Sequence, residues 1–134
     1  MTRRAARPLR DPFSVVKAAG LALPGVEAAI RYDGSPVLKV GGAFMAGLAT
    51  HPSAEPATLV VRSEVEERRW LLEDAPDTYY LTEYYERYPL VLARLSKLDE
   101  GALRDLLAVS RRITLRKKAA GSEDPAQRKR AGRV

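Results

Sequence analysis

The chain has 134 residues and no cysteine, so a disulfide bond, a thiolate nucleophile and a cysteine-ligated metal site are all excluded. Its composition is 46% hydrophobic and 30% charged, which is typical of one globular domain and too apolar for a disordered chain. No apolar run long enough for a signal peptide or a membrane span follows the basic N-terminus. We therefore expect a soluble cytoplasmic protein without a membrane partner.

The net charge of +6 is unevenly distributed. Residues 1–11 carry four arginines and one aspartate, and residues 111–134 carry nine basic and two acidic residues. The central segment is mildly acidic, with ten basic and fourteen acidic residues. Affinity for a polyanion is therefore expected mainly at the two ends, where it would depend on salt and discriminate poorly between sequences. Basic tails that only increase solubility would explain the same distribution.

The first predicted element is a helix that begins at Asp11-Pro12, because aspartate can cap a helix and proline suits its first turn. The chain should leave this helix at the Leu-Pro-Gly sequence of residues 23–25. Apolar residues at spacings of three, four and three give the helix one buried face, formed by Phe13, Val16, Gly20 and Leu23.

Three antiparallel strands are predicted next, over residues 27–32, 36–40 and 43–48. The turns between them contain Asp-Gly and Gly-Gly pairs, which suit the positive φ angles of tight hairpins. A loop with two prolines follows over residues 49–57, and residues 58–62 form a fourth strand. Because the Gly41-Gly42 pair leads into a strand rather than a helix, we interpret it as a hairpin turn and not as a phosphate-binding loop.

The second helix is predicted to begin at a capping box of Ser63 and Glu66 and to run to about residue 74. Trp70 on this helix is interpreted as a residue that packs the helix on the sheet. Two further strands are predicted over residues 78–82 and 90–95, with a tyrosine-bearing turn between them.

Asp99 is expected to cap a third helix, whose buried face contains Leu103, Leu106, Leu107 and Ser110. Beyond Leu115 few apolar residues remain, and we expect a frayed tail. The order of elements is helix, three or four strands, helix, two strands, helix, which predicts an α+β fold with helices packed on a mostly antiparallel sheet in two layers. The domain is predicted over residues 12–116, between a basic extension (1–11) and a flexible basic tail (117–134).

The sequence contains no recognisable catalytic or metal-binding motif. His51 is the only histidine, and it lies in a proline-flanked loop with Ser53 but without a Gly-x-Ser-x-Gly turn. Adjacent acidic residues point in different directions on a helix, and no calcium-binding loop is present. The sequence therefore predicts a solvated loop histidine, no catalytic residue, no bound metal or cofactor, and a protein that is not an enzyme.

Five of the six tyrosines lie within ten residues: Tyr79, Tyr80, Tyr84, Tyr85 and Tyr88. Beside Arg87 and Arg94, these rings could stack on nucleobases or another planar ligand while the guanidinium groups bind phosphate. Alternatively, the rings cover the rim of the core and their hydroxyls reach water. We favour the second interpretation.

Several strings in the sequence occur together in one known family. They are Leu23-Pro24-Gly25-Val26-Glu27, Gly34-Ser35-Pro36-Val37-Leu38-Lys39-Val40-Gly41-Gly42, Thr78-Tyr79-Tyr80-Leu81-Thr82 and Tyr88-Pro89. In order and spacing they resemble the MmcQ/YjbR family of small bacterial proteins, and the likeness covers roughly residues 12–116. The resemblance implies a two-layer α+β fold similar to type III secretion chaperones. It also implies DNA binding through a double-wing domain, without catalytic residues.

From this resemblance and the basic C-terminal segment, we predict a non-enzymatic DNA-binding protein whose hairpins meet the duplex. The residues predicted to bind nucleic acid are Lys39, Arg94, Arg111, Arg112, Arg116, Lys117 and Lys118. One alternative is a chaperone-like module that holds a partner polypeptide, as a monomer or a homodimer. Another is a small-ligand site lined by the tyrosines with Arg31, Lys39 or Arg94.

Overall fold

The computed structural model describes residues 12–122, and it describes side chains as far as residue 119. Within this range the chain forms three α-helices and one six-stranded sheet, in which all neighbouring strands are antiparallel. The protein is therefore an α+β fold, as the order of its elements predicts. Asp11, the predicted cap of the first helix, lies outside the described residues, as does most of the predicted basic tail.

The helices are α1 (Pro12–Leu21), α2 (Val65–Asp74) and α3 (Glu100–Ser122). The strands are β1 (Val26–Ile30), β2 (Pro36–Val40), β3 (Ala43–Leu48), β4 (Thr58–Arg62), β5 (Tyr79–Tyr80) and β6 (Leu90–Arg94). Their order across the sheet is β1-β2-β3-β4-β6-β5. Short 3₁₀ turns precede and follow β6, at Tyr85–Arg87 and Leu95–Lys97.

The main core lies between one face of the sheet and the helices. Leu38 and Val40 of β2 belong to this core, and Phe13 of α1 and Leu107 of α3 pack into it. Because side chains alternate along a strand, Lys39 points to the opposite face. The α1 face predicted from its spacing is confirmed: its first three members are buried and Leu23 packs against the core from the turn.

The opposite face of the sheet carries a smaller core under irregular segments. Val60 of β4, Leu92 of β6 and Tyr85 are buried there. Partly buried residues of the loop over residues 49–57 and of the segment over residues 80–90 pack on these three side chains. This second core fixes the position of the tyrosine-bearing turn.

The predicted bounds of β2, β3 and β4 are confirmed, whereas the predicted strand over residues 78–82 contains only two strand residues. The strand ends early because the chain turns at Thr82. The Thr82 hydroxyl accepts a hydrogen bond from the N–H of Tyr85, and its carbonyl accepts one from the N–H of Glu86.

The predicted cap of α3 is confirmed. The Asp99 Oδ1 atom accepts a 2.7 Å hydrogen bond from the N–H of Ala102, three residues further along the chain. This is the geometry in which a cap residue satisfies an N–H that has no partner within the helix.

The predicted capping box of α2 is wrong. Ser63 is buried, its N–H donates to the Pro89 carbonyl and its hydroxyl donates to the Glu64 carbonyl. Ser63 therefore continues the backbone pairing of the sheet beyond β4, and α2 begins after Glu64 without a side-chain cap. A capping box requires the serine to accept from the N–H of the residue three positions on, and here the serine is held by the neighbouring chain segment instead.

The interpretation of Trp70 as a packing residue is also wrong, because its side chain is 60% exposed. The neighbouring Leu71 is the buried residue of α2. A step of one residue turns a helix by about 100°, so Trp70 points away when Leu71 faces the core.

The third helix is longer than predicted. It continues to Ser122, so residues 117–122 are helical where the sequence predicted a frayed tail. Lysine and alanine, which dominate this stretch, are strong helix formers, and extending an existing helix is easier than nucleating one. None of the helices in the described part of the chain is long and apolar enough to cross a membrane.

Candidate nucleic-acid interface

The last turns of α3 carry a dense group of cations, which we call the basic helix end: Arg111, Arg112, Arg116, Lys117 and Lys118. Residues 111–119 contain no acidic residue. Thr114 is the last fully buried position of the helix, and residues 116–119 are all exposed. At about 1.5 Å per residue, the helix extends roughly 12 Å beyond Thr114. The cations therefore lie on both sides of Thr114, and three of them, Arg116, Lys117 and Lys118, are on the exposed last turns of the helix.

The turn between β2 and β3 lies against the basic helix end. Gly41 and Gly42 have φ angles of 61° and 81°, which confirms the predicted hairpin turn. A Cβ atom added to Gly41 would lie 3.1 Å from the Lys118 Cδ atom and 3.7 Å from a Leu115 methyl group. The hairpin and the cationic helix thus meet at one edge of the molecule.

Two of the five cations have structural partners. The Arg111 Nε atom donates to the carbonyl of Pro24 at 2.7 Å, which ties α3 to the turn after α1. Arg116 forms a 2.8 Å ion pair with Glu64 at the start of α2. Arg112, Lys117 and Lys118 are exposed and form no ion pair with any residue in the range 12–122. These three side chains are the ones available to a polyanion.

Lys39 and Arg94, the other two predicted phosphate contacts, do not join this surface. Lys39 lies on the sheet face opposite to the helices, beside Glu27 on β1 and Phe44 on β3. Arg94 lies over the Tyr80 ring, which packs on the second core. The seven predicted cations are therefore divided between two faces of the sheet.

Arg94 is engaged with protein groups. Its guanidinium donates to both carboxylate oxygens of Glu55 at 2.8 and 2.9 Å and to the Asp77 carbonyl at 2.9 Å. It also lies 4.3 Å from the centroid of the Tyr80 ring. The hydrogen bond to Glu55 raises the pKa of Arg94, and the same bond lowers the pKa of Glu55. Arg94 fastens two loops to the sheet rather than presenting its charge to a ligand.

The tyrosines bind the loop over residues 49–57 to the sheet. The Tyr85 hydroxyl accepts a 3.0 Å hydrogen bond from the N–H of His51. The Tyr80 hydroxyl accepts one of 2.8 Å from the N–H of Glu55 and lies 2.6 Å from the Thr58 hydroxyl. The rings do cover the rim of a core, as we favoured, and these two hydroxyls form hydrogen bonds with the loop.

The remaining tyrosines offer little stacking surface. Tyr79 is buried in the main core, and Tyr84 is stacked by the His51 ring with 3.6 Å between centroids and 8° between planes. The Arg87 guanidinium lies 5.6 Å from the Tyr84 centroid. Tyr88 is 40% exposed, the largest exposure of the five tyrosines, so a stack of several bases has no platform here.

His51 lies in the loop, as predicted, but its ring is partly buried and so is not fully solvated. Besides stacking on Tyr84, its Nδ1 atom accepts the N–H of Ser53 at 3.1 Å and lies 2.9 Å from the Ser53 hydroxyl. That hydroxyl lies 2.9 Å from the Thr82 hydroxyl. The imidazole thus organises its own loop and joins it to the turn at Thr82.

Of the three basic residues predicted beside the tyrosines in a small-ligand site, only Arg94 joins them, and its guanidinium is bonded to Glu55 and to the Asp77 carbonyl. Arg31 donates to the Ser35 hydroxyl and to the Leu48 carbonyl, at 2.8 and 2.9 Å, and its guanidinium lies over Phe44. This places it with Lys39 on the β1–β3 side, whereas the tyrosines lie around β4, β5 and β6. Across residues 12–122, no group of three His, Asp or Glu side chains is arranged to hold a metal ion.

Sequence reasoning missed a second exposed feature, on α2. Glu67, Trp70 and Asp74 are spaced by three and four residues, so they lie on one side of the helix. All three line a cleft between α2 and α3. The spacing of a tryptophan between two acidic residues was visible in the sequence and indicates a solvent-facing stripe.

Comparison with known proteins adds no relative: no family model matches the chain, and no curated protein is significantly similar to it. The α+β class therefore depends on the structure alone, and the resemblance to the MmcQ/YjbR family stays a prediction.

Proposed function

We propose that the protein is a non-enzymatic, cytoplasmic DNA-binding protein that contacts the phosphate backbone through the basic helix end and the adjoining β2–β3 turn. One observation carries the proposal: five cations lie within eight residues near the end of α3, and only one of them is paired with a carboxylate. Clustered Lys and Arg side chains release counterions when they contact phosphates, and this release favours association with duplex DNA.

The arrangement favours binding without sequence preference. Arg112, Lys117 and Lys118 point to different sides of the helix, because steps of five and one residues turn it by about 500° and 100°. Cations spread in this way can reach phosphates of two backbone segments, but they do not form a row along one groove. Phosphate contacts position a protein, whereas recognition of sequence requires side chains at base edges.

The test is fluorescence anisotropy on a labelled DNA duplex at about 50 and 200 mM salt. Replacing Arg112, Lys117 and Lys118 with Gln removes three phosphate contacts, which should lower the slope of log affinity against log salt by roughly 2.7. The three cations make no ion pair with a described residue, so the variant should keep its fold. Circular dichroism spectra and melting temperatures check that it does.

The matched control replaces Lys17, Arg69 and Lys97 with Gln, since these are also exposed cations and lie outside the basic helix end. This control has the same net charge as the test variant and should retain most of the affinity and salt slope of the natural chain. Equal losses in the two variants would mean that binding follows net charge alone. Unchanged affinity in the test variant would place the contact elsewhere, and no binding at either salt concentration would reject DNA binding.

A second candidate function, holding a partner polypeptide, is favoured by the β1 edge of the sheet. β1 is a terminal strand, so one row of its N–H and C=O groups pairs with no strand among the described residues. Ile30 is 72% exposed and Tyr32 is fully exposed beside this edge. A partner strand could add to the sheet there. Light scattering would detect a homodimer, and Ile30→Lys should dissociate it if β1 is the contact.

A further inference from the structure

A cleft of about 360 Å³ separates α2 from the first half of α3. Its apolar lining includes Leu71 of α2, Tyr79 of β5 and Leu106 of α3. Three carboxylates line it as well, those of Glu67, Asp74 and Asp105. We call this feature the acidic cleft.

The carboxylates of the acidic cleft have no cationic partner among the described residues. Neither ion pair of this part of the chain includes Glu67, Asp74 or Asp105, and Lys97 is the one basic side chain that lines the cleft. Burial and then the negative charges of Glu67 and Asp74 raise the pKa of Tyr79, so both carboxylates act on the same phenol. The cleft thus combines an apolar floor with a net negative charge, from three carboxylates and one lysine.

Trp70 gives the acidic cleft an exposed aromatic surface, with 60% of its side chain accessible. A tryptophan ring beside carboxylates suits a guanidinium, which can lie on the ring and pair with an acid at the same time. The three acids are not close enough together to form a metal site within residues 12–122. The ligand that suits the cleft is therefore a peptide segment with several arginines and a few apolar residues between them.

We propose that the acidic cleft holds the chain's own N-terminal segment, residues 1–11, with its arginines on the carboxylates and Trp70. This segment contains Arg3, Arg4, Arg7 and Arg10, and no acidic residue precedes Asp11. Pro8 and Leu9 stand between two of these arginines and supply an apolar contact for the floor of the cleft. The proposal is independent of DNA binding.

The position of α1 allows this segment to reach the cleft. Val15 and Ala18 of α1 share a groove with Glu100 and Arg104, whereas Asp105 of the same turns of α3 lines the acidic cleft. Val15 and Ala18 thus lie across α3 from the cleft, and a helix with its side chains is roughly 10–12 Å wide. Eleven residues can span roughly 36 Å, which is ample for the crossing.

The C-terminal segment fits less well. It begins after Ser122, thirteen residues beyond Val109 at the far end of the cleft, which is roughly 20 Å along the helix. Its first two residues, Glu123 and Asp124, are acidic and would be repelled by the cleft. Residues 1–11 have the higher net charge, +3 against +2 for residues 123–134, and the shorter distance to cross.

The only tryptophan of the chain reports on the cleft directly, through quenching of Trp70 fluorescence by acrylamide in the full chain. A guanidinium on one face of the indole leaves only the other face accessible, so the quenching constant should be about twofold lower in the natural chain than in a variant with Arg3, Arg4, Arg7 and Arg10 replaced by Gln. High salt should remove the difference. A control variant with Lys39, Arg112, Lys117 and Lys118 replaced by Gln should have the same Trp70 quenching constant as the natural chain.

A second measurement uses a synthetic peptide of residues 1–11 added to the four-arginine variant. It should protect Trp70 in a saturable way, and the protection should vanish when Glu67, Asp74 and Asp105 are replaced by Gln, Asn and Asn. Equal quenching of the natural chain and the four-arginine variant at low salt would overturn the proposal. Protection that rises with protein concentration would also overturn it, because the segment would then come from a second copy.

Discussion

Tyr85 connects the second core to the loop over residues 49–57 with one hydrogen bond. Its ring is buried with Val60 and Leu92, and its hydroxyl accepts the N–H of His51 at 3.0 Å. The bond closes a separation of 34 residues in the chain, so it fixes the loop by a contact that local sequence does not supply.

We predict that Tyr85→Phe lowers the free energy of unfolding by about 1–2 kcal/mol, because it leaves the part-buried N–H of His51 without its acceptor while the ring still packs. Urea unfolding measures the change. Tyr88→Phe is the control. Because Tyr88 is 40% exposed, this substitution should change the free energy of unfolding by less than about 0.5 kcal/mol. Equal effects of the two substitutions would contradict the assigned role of the Tyr85 hydroxyl.

Glu55 and Arg94 make the stability of the loop depend on pH. The hydrogen bond from Arg94 lowers the pKa of Glu55 in the folded state, so the folded chain favours the ionised carboxylate. The resulting stabilisation is present above the ordinary pKa of the carboxyl group and is lost as the pH falls through the lowered folded-state pKa.

We therefore expect Glu55→Gln to lower the melting temperature at pH 7 and to have a much smaller effect at about pH 3, below the usual range of the carboxyl group. Glu83→Gln is a suitable control, because Glu83 is exposed and forms no ion pair with a described residue. A Glu55→Gln effect that is the same at both pH values would show that the carboxylate charge contributes nothing to the loop.

At the scale of elements, turn chemistry made much of the sheet predictable. Residues 36–40 and 43–48 were bounded correctly because the intervening glycine pair requires positive φ, and that requirement is local. The predictions that were wrong failed because contacts between distant segments override the local sequence signal. Ser63 looks like a cap, but pairing with Pro89 holds it as an extension of the sheet. The two-residue β5 reflects the turn that Thr82 makes with Tyr85, which a run of strand-forming residues does not reveal.

The two helix starts give a direct comparison of a real cap with an apparent one. We predict that Asp99→Ala lowers the free energy of unfolding by about 1 kcal/mol, because the N–H of Ala102 loses its acceptor. Glu66→Ala should change the free energy of unfolding by less than about 0.5 kcal/mol, since no capping box forms at α2. Chemical denaturation of both variants measures the difference. A loss at Glu66 as large as that at Asp99 would indicate that the box forms.

At the scale of the whole molecule, the sheet separates two sets of residues that the sequence placed together. The basic helix end and the β2–β3 turn meet at one edge, whereas Lys39, Arg94 and three of the tyrosines, Tyr80, Tyr84 and Tyr85, lie on or beside the face opposite the helices. Tyr79 is buried in the main core, on the helix side of the sheet. The sequence predicted a frayed tail from residue 117, where the chain is in fact helical. Charge counted along the chain did locate the cationic cluster at residues 111–118. It could not show that the bonds of Arg94 to Glu55 and Asp77, 39 and 17 residues away, commit that arginine to the fold.

The most direct test of DNA binding at the basic helix end is a titration of the ¹⁵N-labelled protein with a short DNA duplex, followed by amide chemical shifts. We predict shifts that concentrate at residues 111–119 and at Gly41 and Gly42, and that shrink as salt is raised. Amides of residues 79–88 should stay unchanged. Shifts confined to residues 79–88, or no shifts at low salt, would contradict the account.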